Sequence, residues 1–124
     1  MEIKSFKDLL VWQKAMDLAE ETYRIVKFLP KDETFALSNQ MRRSAIYIPS
    51  NIEEGQSRHG IKEYINFLYI AKGSNAELFT QLNICKRIGY LTDKQLYASL
   101  QLSNEVGKML AAMIKQLNDL TPKT

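Results

Sequence analysis

Residues 40–55, QMRRSAIYIPSNIEEG, decide the fold. Leu37, Met41, Ala45, Ile48 and Ile52 recur at steps of three and four, the spacing of one face of a helix that must be buried. A polar stripe runs beside it through Gln40, Ser44, Tyr47, Asn51 and Glu54. An unpaired polar group in a buried position costs about 1–3 kcal/mol, so this stripe reads as one side of a specific polar interface. Pro49 interrupts the segment, lacking an N–H and crowding the carbonyl of Ala45. Two conformations follow from it. One is a kinked but continuous helix, with Ser44, Ser50 or Asn51 satisfying the loosened turn; the other is a break at Ile48 with Pro49 opening a new helix.

Working outward, this second helix starts between Thr34 and Ser38 and runs to Gly55 or Ser57. Ser57, Arg58, His59 and Gly60 then form a turn. The third helix carries Ile61, Tyr64, Leu68, Ala71, Asn75, Leu78, Leu82 and Cys85 on one stripe. Phe67, Ile70, Ser74, Glu77, Gln81, Ile84 and Ile88 lie on the next. Gly89 suits a left-handed cap, with Tyr90 folding back on the last turn. In an antiparallel hairpin of these two helices, Arg43 lies level with Ser74 and Glu77, and Gln40 lies beside Glu77. That register predicts an Arg43–Glu77 ion pair, partly buried, in a structural polar network with Gln40, Asn51, Glu54, Ser74 and Gln81. Glu54 is also placed to meet Arg58 one turn on.

Thr92 with Gln95 three residues later is a capping box. The fourth helix follows through Leu96, Ser99, Ser103, Val106, Leu110, Met113 and Leu117, with Pro122 at its frayed end. Before the quoted stretch, Ser5 or Asp8 caps a first helix whose seam reads Leu9, Trp12, Met16, Ala19, Tyr23 and Val26, closed by Phe28, Leu29 and Pro30. Leu10, Val11, Leu18 and Ile25 fall off that seam. They are more apolar surface than one bundle core absorbs, and are the candidate oligomer interface. Four long helices with short turns and no strand pattern predict an all-α, up-down-up-down antiparallel four-helix bundle spanning residues 1–124 as a single domain.

Composition agrees. The 124 residues are 45% hydrophobic and 25% charged, with only five glycines and three prolines, in the range of a helical globular domain. The net charge of +3 and pI near 9.0 permit contact with nucleic acid or an acidic protein. The single cysteine, Cys85, precludes an intramolecular disulfide and suits a reducing compartment. The first ten residues lack the apolar core of a signal peptide, and the uncharged run at 64–71 is far short of a membrane span. A cytoplasmic location without a membrane partner is therefore expected.

Catalytic signatures are absent from the pattern. The only histidine, His59, falls in a turn without the Glu-x-x-His spacing of di-iron bundles. Cys85 lies on the apolar seam, where a cysteine behaves as a small hydrophobe. The glycines are scattered singly and make no phosphate loop. No catalytic residue, metal or cofactor is assigned. Basic residues are spread over the helices, and Arg42, Arg58, Lys62, Lys72, Lys86 and Arg87 are the candidates for contact with nucleic acid, through phosphates rather than base edges.

Four motifs converge on a known family: Phe6-x-x-Leu9-x-Val11-Trp12-Gln13-Lys14-Ala15, Gln40-Met41-Arg42-Arg43-Ser44-Ala45, Ile48-Pro49-Ser50-Asn51-Ile52-x-Glu54-Gly55, and Phe67-Leu68-x-Ile70-Ala71-x-Gly73-Ser74-x-x-Glu77-Leu78. Together they closely resemble the bacterial four-helix-bundle proteins of 23S rRNA intervening sequences. Tyr47, where the family commonly has a small residue, and Gly60, where it has Ser or Thr, depart from the pattern. The resemblance implies a ring-shaped homo-oligomer, a pentamer with a central channel. It extends to the accessory protein of diversity-generating retroelements, a basic barrel that binds a reverse transcriptase and nucleic acid. No enzymatic activity is implied. The expected function is a non-enzymatic oligomeric scaffold that binds RNA or DNA backbone, with a protein partner; the alternative is a protein-assembly module with no nucleic-acid role.

Overall fold

Apolar faces repeating every three to four residues build four helices, and the computed structural model describes them over residues 9–121. They are α1 (Leu10–Val26), α2 (Leu37–Gln56), α3 (Ile61–Arg87) and α4 (Asp93–Leu120), with one 3-10 turn at Lys31–Glu33. Among the described residues there are no strands. Each helix packs on the next in sequence and α4 closes on α1, whereas the backbones of the diagonal pairs stay apart. This is the arrangement of an up-down-up-down bundle. The predicted caps at Ser5 or Asp8, and the end at Pro122, lie outside the described residues.

The core is a column of aliphatic side chains with no solvent exposure: Leu18 and Ile25 from α1, Met41, Ile48 and Ile52 from α2, Leu68, Leu78 and Leu82 from α3, and Leu96 and Leu110 from α4. Burying one such side chain contributes about 1.5–3 kcal/mol. The apolar stripe of α2 faces this column as the sequence predicts. The helix is continuous through the buried Pro49, not broken at Ile48. Asn51 donates its side-chain Nδ2 to the carbonyl of Tyr47 at 2.7 Å, in the turn the proline interrupts.

The face of α1 is a correction. Val11, Leu18 and Ile25 are buried in the chain's own core, so they are not an oligomer surface; of the predicted interface only Leu10, more than half exposed, faces outward. The deepest face of α1 is Val11, Ala15, Leu18, Thr22 and Ile25, continued by Leu29, while Leu9 and Val26 of the predicted seam are also buried and Trp12 and Ala19 pack partly buried against the core. It alternates steps of four and three as regularly as the stripe through Trp12 and Met16, and a small and a polar residue disguise it. Thr22 is admitted to the core because its hydroxyl donates to the Leu18 carbonyl at 2.8 Å, satisfying the group locally. Tyr23, placed on the seam by the sequence reading, is exposed.

The turns are fixed by identifiable groups. Gly89 adopts φ 82°, a left-handed conformation that a side chain disfavours, and closes α3. Tyr90 N–H then donates back to the Cys85 carbonyl at 2.9 Å. Thr92 and Gln95 form the predicted capping box at the start of α4. Gly60, at the N-cap of α3, supplies no side-chain cap.

Candidate functional site

The predicted polar network is divided by the structure into a half-buried hollow and a turn. Gln40, Arg43, Ser44, Tyr47, Glu77 and Gln81 line a hollow of about 210 Å³ between α2 and α3. Helical spacing explains the grouping: 40, 43, 44 and 47 share one edge of α2, and 77 and 81 share the facing edge of α3. Only Ser44 and Gln81 are buried, while Gln40, Arg43, Tyr47 and Glu77 remain exposed. Ser74 is buried on α3, one turn before the exposed Glu77.

The Arg43–Glu77 ion pair does not form. Arg43 instead donates Nη2 to the Tyr47 hydroxyl at 3.0 Å, with its guanidinium carbon 5.9 Å from the ring centre. That hydrogen bond holds the guanidinium above its ordinary range. The cause is local: Tyr47 lies one turn along the same helix, whereas reaching Glu77 requires a bridge across to α3 at a solvated rim.

At the α2–α3 turn, Arg58 pairs with Glu54 as the sequence predicts, and its guanidinium lies 5.1 Å from the Phe67 ring centre. Glu54, Arg58, His59, Lys62 and Glu63 surround a shallow hollow there. The other basic candidates are dispersed. Arg42 donates to the Thr34 carbonyl at 3.2 Å and fixes the α1–α2 turn. Lys72 borders the α3–α4 groove with Phe79 and Lys108. Lys86 is paired with Asp93 at 3.1 Å, and Arg87 is exposed beside it. The six therefore make no single patch: Arg58 and Lys62 occupy one end, and Arg42, Lys86 and Arg87 the other.

Cys85 is fully buried, with its sulfur 3.6 Å from the sulfur of Met41. Burial, and then the Glu33 carboxylate, push its thiol up to about 11, which leaves no thiolate for nucleophilic work near neutrality. Among the described residues no group of three or more His, Cys, Asp or Glu side chains is placed to hold a metal ion. Nor is any helix long and apolar enough to cross a membrane.

Two cross-element contacts were missed by the sequence reading. Asn75 and Ser103 are hydrogen-bonded in both directions across α3 and α4. Tyr90 donates its hydroxyl to Glu33 at 2.9 Å, tying the α3–α4 turn to the α1–α2 turn. The signal for the first was present, a polar residue within each of two apolar stripes, but spacing alone does not say that they meet.

Geometry of this kind defines an antiparallel four-helix bundle whose buried polar groups fix packing and turns. The chain belongs to the 23S rRNA-intervening sequence protein family, whose model matches residues 7–112. It is also similar to a crystal structure of a protein of unknown function from the S23 ribosomal protein family of Bacteroides thetaiotaomicron. The two are 30% identical with a TM-score of 0.80, over 86% of this chain and 99% of that one. A comparison with curated proteins finds no match.

Proposed function

We propose that this chain is a non-enzymatic scaffold that assembles with copies of itself, as a pentameric ring, and presents basic surface to an RNA or DNA backbone and to a protein partner. The observation that carries the reading is the outward face of α3. Tyr69, Ile70, Ile84 and Ile88 are each about two-fifths exposed or more, and Gly73 and Ala76 lie between them. That face also carries the exposed Glu77, Thr80 and Arg87, and a helix with so much apolar surface on its outer side as well as its inner one is suited to partial burial on both. This replaces α1 as the source of the surplus apolar surface.

The nucleic-acid half rests on the family's association with 23S rRNA intervening sequences and on the chain's positive charge. An anisotropy titration with a structured RNA at two salt concentrations tests it. Backbone binding gives affinity that falls steeply with salt. No binding at low salt removes this half and leaves the assembly module, which the apolar face of α3 favours on its own.

A further inference from the structure

The two turns at the Tyr90–Glu33 end of the bundle bring together features that are far apart in sequence. Phe35, between the 3-10 turn and α2, is 94% exposed, the most exposed of the large apolar side chains among the described residues. Phe28 and Tyr97 are more than half exposed at the same end. Each ring has a cation within one helical turn. Phe28 follows Lys27, and Tyr97 stands three residues after Lys94 on α4. Phe35 adjoins Thr34, whose carbonyl accepts from Arg42.

The charge of this end is positive. Lys27, Lys31, Arg42, Lys86, Arg87 and Lys94 stand against Asp32, Glu33 and Asp93. Two of those three acids are engaged, Glu33 by Tyr90 and Asp93 by Lys86. The opposite turn, residues 53–63, carries Arg58 and Lys62 against Glu53, Glu54 and Glu63. The two turns at the Tyr90–Glu33 end therefore carry a net positive charge that the α2–α3 turn does not.

From this juxtaposition we infer that the α1–α2 and α3–α4 turns form a platform for single-stranded nucleic acid, on which unpaired bases stack against Phe35, Phe28 and Tyr97 while the flanking cations meet phosphates. The inference rests on the nucleic-acid reading above and adds the surface and the strandedness. A ring with a cation beside it matches the two parts of a nucleotide, a flat base and a phosphate. Stacking accepts any base, so no edge-reading groups are required. A duplex hides its base faces and gains nothing from the rings.

The test compares a 20-nucleotide oligouridine with a duplex of equal length by fluorescence anisotropy, using the full chain. Phe35 is solvated and makes no packing contribution, so Phe35→Ala folds as the parent does, checked by circular dichroism. The expected result is a loss of about tenfold in affinity for the single strand with duplex affinity unchanged. Phe35→Tyr restores binding and Phe35→Leu does not, because a flat ring rather than apolar area is required. Replacing Lys31 and Lys94 by Ala lowers the slope of log affinity against log salt by about 1.4, from roughly 0.7 per phosphate on a single strand.

Equal single-strand binding by the parent and Phe35→Ala overturns the platform while leaving the nucleic-acid reading intact. Absence of binding to either probe at low salt overturns that reading as well. Rescue by Phe35→Leu, or Phe35-dependent sedimentation with phosphatidylglycerol vesicles, also overturns the platform and assigns the turn to a protein or lipid surface.

Discussion

Ser103 on α4 donates its hydroxyl to Asn75 Oδ1 at 2.9 Å, and Asn75 on α3 returns Nδ2 to the Ser103 carbonyl at 3.0 Å. Both residues are buried, so the Asn75 amide and the Ser103 hydroxyl regain their partners from the other helix. The pair fixes the register of α3 on α4 where aliphatic contacts alone would tolerate sliding. Gly107 accommodates it, since a Cβ there would stand 3.2 Å from Asn75 Nδ2.

Asn75→Ala therefore destabilises the chain by about 2 kcal/mol, since it leaves the Ser103 hydroxyl buried without its acceptor. Ser103→Ala is milder because the carbonyl contact survives. Urea denaturation of the two single variants and the double variant checks this: their effects combine non-additively, with a coupling energy on the order of 1 kcal/mol.

Gly55 and Gly60 bracket the α2–α3 turn and respond oppositely to substitution. A Cβ at Gly55 would meet Phe67 Cβ and Tyr64 Cδ1 at 2.9 Å, so the two helices must separate to admit it. Gly55→Ala costs about 1–3 kcal/mol despite the better helix propensity of alanine. Gly60 is an N-cap in extended backbone with open space around it, and Gly60→Ser supplies the missing acceptor for a gain of a few tenths of a kcal/mol. Thermal unfolding of both variants gives the two signs.

Cys85 sets a limit on alkaline stability. Its folded-state value of about 11 exceeds the ordinary 9.0, so the native chain holds the proton more tightly than the unfolded one. The stabilisation is complete below about pH 9 and is lost as pH rises toward about 11. Tyr64, raised by burial, and Tyr90, raised first by its hydrogen bond to Glu33, act in the same direction. The thiol's share is therefore read as the difference between parent and Cys85→Ala across that window. At neutral pH the native thiol is inert to Ellman's reagent and reacts only as the bundle opens.

Arg43 couples along its helix rather than across the hairpin. A double-mutant cycle on Arg43 and Tyr47 gives a coupling of a few tenths of a kcal/mol, the scale of an exposed cation–ring contact. The corresponding cycle on Arg43 and Glu77 gives none.

How far the sequence reaches is clearest where it fails. The helices, the capping box at Thr92, the left-handed Gly89 and the Glu54–Arg58 pair follow from local spacing and turn chemistry, and local rules identify them. The face of α1 does not, because Val11–Ala15–Leu18–Thr22–Ile25 and Leu9–Trp12–Met16–Ala19–Tyr23 are equally periodic. The larger side chains favoured a stripe whose Leu9 is buried and whose Trp12 and Ala19 flank the core, but whose Tyr23 faces out. The Arg43–Glu77 pairing failed for a related reason: register placed the residues level, but a tyrosine on the same helix offered a nearer acceptor. The Phe35 turn was invisible, because an exposed ring has no period and the Tyr90–Glu33 contact that ties the two turns joins residues far apart in sequence.

Self-association through the outward face of α3 is the claim on which the functional account depends. Multi-angle light scattering on the intact chain tests it directly. The account predicts a mass about five times the 14.3 kDa of one chain, reduced toward a single chain when Ile70 and Ile84 are both replaced by Glu. A parent mass of 14.3 kDa at working concentration would contradict it.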